Sequence, residues 1–118
     1  MKTFLAVYTG TPASLEQSGW SKLSEQERKQ KEQTGIKAWG DWVTANQAAI
    51  VDTGTPLGKT KRASKQGIAD IKNNLAAYTL VRAESHEAAA KLFANHPHFT
   101  IFPGDGVEIM ECLPIPTP

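Results

Sequence analysis

Residues 74–99 read NLAAYTLVRAESHEAAAKLFANHPHF, and within one short turn they pass from a strand pattern to a capped helix. Leu75, Ala77, Thr79 and Val81 alternate with Ala76, Tyr78, Leu80 and Arg82. Both faces are apolar until Arg82, as expected of a central strand. Ser85 then offers its hydroxyl to the first turn of a helix in which Ala89, Leu92 and Phe93 make a buried stripe and Glu87 can pair with Lys91. Asn95-His96-Pro97 should end that helix, because proline cannot continue the hydrogen-bond ladder.

Upstream, residues 3–8 are rich in β-branched and aromatic side chains and stop at Gly10-Thr11-Pro12, a strand followed by turn chemistry. This apolar run is too short for a signal peptide's core and reads as the first strand. Ser14–Gln17 can open a short helical turn, and Trp20 is positioned to close over the core or a pocket rim. Ser24-Glu25-Gln26-Glu27 forms a capping box that starts a long helix. Glu25 with Lys29 and Glu27 with Lys31 are i,i+4 pairs on a solvated face. Further along, Ile36, Trp39 and Val43, widened by Trp42 and Ala45, form the packed stripe. Gly35 and Gly40 each cost about 1 kcal/mol inside a helix, which points to a break near Gly35 or a close backbone approach at Gly40. Ala48–Val51 reads as the second strand, and Lys59–Gln66 as a polar edge strand or hairpin arm whose lysines discourage edge pairing. Downstream, Gly104-Asp105-Gly106 turns into a half-buried strand, Val107–Leu113.

The resulting order of strands and helices is βαββαβ, the ferredoxin-like split βαβ arrangement of the α+β class, with two helices on one face of an antiparallel sheet. One domain, residues 1–113, and a proline-rich tail, residues 114–118, account for the 118 residues. A chain of this size has no further element for the other sheet face, so a homodimer burying sheet on sheet is expected. The 13 basic and 12 acidic side chains leave a formal charge of +1, which points to neither nucleic acid nor a membrane surface. A single cysteine, Cys112, argues for a reducing, cytoplasmic compartment.

The candidate chemistry is sparse. Gly54-Thr55-Pro56-Leu57-Gly58-Lys59-Thr60 has three residues between its glycines where a phosphate-binding loop needs four, so it reads as a plain turn. His96 and His98, two apart on what reads as an extended segment, are candidate acids or bases, and two imidazoles alone make no metal site. Asp41 forms an i,i+4 pair with Lys37 beside the aromatic stripe and is a third candidate base. Trp20, Lys37, Trp39 and Tyr78 are the candidate substrate-binding residues. Neither a cofactor nor a metal is expected. The basic residues Lys59, Lys61, Arg62, Lys65 and Lys72 lack interleaved aromatics for stacking bases.

The opening KTFLAVY, the Leu-Ser-Glu-Gln-Glu-Arg start of the long helix, Gly54–Leu57 after the second strand and NLAAYTLVRAESHEAAAKLFANHP together resemble the YCII-related proteins, including the branch named for an Asp-Gly-Pro-Phe motif. The resemblance covers nearly the whole chain and implies a dimeric α+β barrel with a ligand pocket between sheet and long helix. Two departures matter. Lys65-Gln66-Gly67-Ile68 stands where the Asp-Gly-Pro-Phe motif would fall, and the chain has no histidine before His86, so the histidine and aspartate pair used by some members has no counterpart. The expectation is therefore a homodimer that binds a small organic molecule. Two alternatives are open, a cofactor-free isomerase, lyase or dehalogenase-type enzyme and a non-catalytic regulatory or interaction module.

Overall fold

Alternation in Lys2–Thr9 (β1) sends Phe4, Ala6 and Tyr8 to one face of the sheet and Leu5 and Val7 to the other. In the structure, a computed structural model covering residues 1–118, this strand lies at the centre. On one side it pairs with Leu75–Ala83 (β5), Phe4 opposite Val81, Ala6 opposite Thr79 and Tyr8 opposite Ala77. On the other it pairs with Gly106–Glu111 (β6), Ala6 opposite Ile109. Ile50–Asp52 (β2) adds the outer strand beside β5, giving the antiparallel order β2-β5-β1-β6.

Four helices join the strands: Pro12–Ser18 (α1), Glu25–Ala45 (α2), His86–Lys91 (α3) and Pro97–Thr100 (α4). The capping signals act as the sequence requires. Ser24 Oγ accepts from the Glu27 N–H at 3.1 Å while the Glu27 carboxylate accepts from the Ser24 N–H at 3.0 Å, and Ser85 Oγ accepts from the Ala88 N–H. The core is the helix side of the sheet. Phe4, Ala6, Tyr8, Val81 and Ala83 meet Ala89 and Phe93, with Trp39 and Trp42 of α2 closing over them. The Trp42 indole N–H donates to the Leu92 carbonyl at 2.8 Å, tying the long helix to the chain beyond α3. The chain has the α+β, ferredoxin-like fold, and no helix is long and apolar enough to cross a membrane.

Three local expectations are revised. Helix α2 runs unbroken through Gly35 and Gly40. The close approach is at Gly35, where an added Cβ would come within 2.5 Å of the Phe102 ring, and Gly40 faces open space. The polar arm has a second strand: Thr60–Ser64 (β3) pairs with Gly67–Ile71 (β4), which carries too few apolar residues to announce itself. Finally, His96-Pro97-His98 is not extended. Asn95 takes a left-handed conformation (φ 58°) after the end of α3, and Pro97 opens α4, because a first helical position has no N–H to satisfy.

Candidate functional site

The apolar stripe of α2 turns only part of its width to the core. Ile36, Trp39, Gly40 and Val43, spaced i, i+3, i+4 and i+7, instead form one wall of a cleft of about 500 Å³. The opposite wall is Thr53–Pro56 laid along β5, where the Tyr78 N–H donates to the Thr55 carbonyl and the Leu57 N–H to the Ala76 carbonyl. That backbone approach requires glycine at 54, with φ 71° and no room for a Cβ against the Tyr78 carbonyl. Phe102 and His98 close the end.

His98 is the one imidazole lining this cleft. Its Nε2 lies 2.7 Å from the Thr9 carbonyl oxygen, which can only accept, so Nε2 carries the proton in the neutral ring. The same carbonyl accepts from the Asp105 N–H, which fills both its lone pairs, and the backbone of Gly104 lies directly against the ring. Nδ1 is left with a free lone pair, no hydrogen-bond partner and some access to solvent. Burial depresses the basicity of His98, while the Thr9 hydrogen bond and the nearby Asp105 carboxylate partly restore it. The ring is therefore neutral at pH 7, with its acceptor nitrogen free.

His96 has the opposite arrangement. Its Nδ1 accepts from the His98 N–H at 3.0 Å and so caps α4, which puts the ring proton on Nε2. That Nε2 has no hydrogen-bond partner and no exposure, and the imidazole sits in a box of rings whose centroids lie 4.5 Å (Trp39), 4.6 Å (Trp42) and 5.1 Å (Tyr8) from its own. Burial, aided by the neighbouring His98, lowers its pKa to about 4. Tyr8 is equally enclosed. The Thr79 hydroxyl donates to the Thr53 carbonyl, so Tyr8 must donate to Thr79 Oγ1 at 2.9 Å, and burial pushes its pKa up to about 12 despite that hydrogen bond.

Of the residues singled out in the sequence, His98, Trp39 and Tyr78 line the cleft. His96 stands behind them, held from the cleft by the aromatic box. Trp20 is buried beyond Phe102, stacked on that ring at 5.8 Å with its indole N–H on the Ile101 carbonyl, and so supports the end wall. Asp41 and Lys37 pair at 3.2 Å in solvent, on the side of α2 turned away from the cleft stripe. The unforeseen parts are Phe102, the Thr53–Pro56 wall and the Thr9 carbonyl. Only the glycine after Asp52-Thr53 hinted at the wall, and a backbone acceptor leaves no mark in a sequence.

No family model matches the chain, and no curated protein matches it. Among solved structures it is similar to the 5-chloro-2-hydroxyhydroquinone dehydrochlorinase of Burkholderia phenoliruptrix AC1100, solved in complex with 2,5-dihydroxybenzoquinone. The TM-score is 0.52 at 16% identity, over 92% of this chain and 90% of that one. At that identity the likeness is one of fold.

Proposed function

We propose that the chain binds a small, planar, weakly acidic organic molecule in the cleft between α2 and β5, with His98 Nδ1 accepting a proton from it. The observation that carries this reading is the occupied Nε2 of His98: with Nε2–H tied to the Thr9 carbonyl, Nδ1 is the nitrogen of this cleft-lining ring left to accept a proton. Trp39 and Phe102 suit a flat ring, and a lining without lysine or arginine disfavours a strongly anionic ligand. The neighbour of like fold, a dehydrochlorinase named for a chlorinated hydroxyhydroquinone, supports the same ligand class.

The chemistry that one neutral base can carry out is elimination or isomerisation. Nδ1 takes the proton of an acidic O–H or C–H, and the freed electron pair forms a new π bond. In elimination a halide or other leaving group departs with its own pair, and in isomerisation the proton returns at another carbon. In this reading the chain is a divergent YCII-related protein, cytoplasmic in keeping with its exposed single Cys112. It pairs with a second copy through the sheet face turned away from the helices, where Met110 is exposed and Leu5 and Leu80 are half-buried. Calorimetric titration with hydroxylated hydroquinones, phenols that keep their protons at pH 7, tests the binding. Wild type should bind, His98→Ala should lose about tenfold in affinity, and Asp41→Asn should bind as wild type. Equal binding by wild type and His98→Ala would remove the role given to His98.

A further inference from the structure

The β3–β4 hairpin is the part of the molecule that its own fold does not explain. Every residue of the two strands except Thr60 is exposed, Ile68 by 77% and Ile71 by 38%, and beyond each other the strands make no substantial contact with another element. The Lys61 and Asp70 pair, at 2.7 Å, is open to water and so contributes little. A two-stranded ribbon without a packed face is marginal in water. A partner is therefore needed to hold it.

We propose that this hairpin is an interchain clasp that grips a second copy of the chain. Charge identifies the partner. Residues 59–72 carry five cations and one carboxylate, whereas the rest of the chain has eight cations against eleven carboxylates, so the arm and the body of another copy are complementary. The sheet face of that copy turned away from the helices presents the exposed Met110 and the half-buried Leu5 and Leu80, with Glu108 on its β6 edge in register with Val7. Five residue pairs extend about 16 Å, comparable with the 19 Å thin dimension of the molecule, which is enough to cross the edge of a partner. The arm's base is also continuous with the cleft wall, since Pro56 bridges to Ala77 and the Leu57 N–H bonds the Ala76 carbonyl just before the strands leave the body. Clasping therefore stiffens one wall of the ligand site.

The clasp rests on the pairing of two copies proposed above, and sedimentation equilibrium of the full chain separates the two. Arg62→Glu/Lys65→Glu and Ile68→Asp alter exposed side chains only, so folding, checked by circular dichroism, is retained. Each should weaken the dimer by about tenfold or more, and adding Glu108→Lys to the charge-reversed arm should recover association. If both arm variants associate as tightly as wild type while Leu80→Arg dissociates, the clasp is wrong and the sheet-face pairing stands. If the wild type sediments as a monomer at all concentrations, both are wrong.

Discussion

At the scale of single residues, the two histidines of one short segment have been given different work by their hydrogen bonds. His98 Nε2 and the Asp105 N–H share the Thr9 carbonyl, and Gly104 backs the ring. A methyl group at Gly104 would strike the His98 ring and carbonyl, so Gly104→Ala should weaken ligand binding as His98→Ala does while leaving the cleft walls in place; titration of the variant checks this. For His96, a pKa of about 4 against an ordinary 6.5 means that the unfolded chain binds the extra proton first as pH falls. The stability it contributes is complete above pH 6.5 and is lost between there and about pH 4, a change of about 3 kcal/mol. His98 is depressed for the same reason and adds in the same direction. His96→Asn keeps an acceptor for the His98 N–H but cannot titrate, so urea midpoints at pH 7 and pH 4.5 should differ less in the variant than in wild type. The sequence marks His96-Pro97-His98 as chemically interesting but does not separate the two roles. The separation depends on a carbonyl contributed by Thr9, 89 residues away from His98.

At the scale of elements, α2 shows what a periodic pattern reveals and what it leaves out. Its start, its length and the Ile36, Trp39 and Val43 stripe are plain in the sequence because capping and 3.6-residue spacing are local properties. That the stripe serves both a core and a cleft is not local, because it depends on where β5 and Thr53–Pro56 lie. The two glycines make the distinction measurable. Gly40 faces open space, so Gly40→Ala should raise helix stability by up to about 1 kcal/mol. Gly35→Ala gains the same propensity but drives a methyl group into the Phe102 ring, and a net loss of about 1–2 kcal/mol is expected. Thermal or urea unfolding of both variants checks the signs, and equal effects would mean that Phe102 does not pack there. The second arm strand was illegible for a related reason: Gly67–Ile71 is held by its partner across the turn, and nothing in its own composition requires a strand.

At the scale of the whole molecule, sheet topology follows from the pattern of strands and helices, because a central strand that is apolar on both faces, followed by a capped helix, leaves few ways to build a small α+β domain. The same sheet leaves Met110 exposed and Leu5 and Leu80 half-buried on the face turned away from the helices. Placing a charge there, as in Leu80→Arg, should convert a dimer to monomers with little loss of protomer secondary structure, measured by light scattering with circular dichroism. The cleft is lined by residues of a single chain, so its chemistry can be examined directly. The most direct measurement is a long-range proton–nitrogen correlation spectrum of the His98 imidazole at pH 7, recorded before and after addition of 2-hydroxyhydroquinone. The account predicts a neutral ring with the proton on Nε2 in the free protein and a change at Nδ1 on addition of ligand. A ring protonated on Nδ1 in the free protein, or a bound ligand that leaves the His98 signals unmoved, would contradict it.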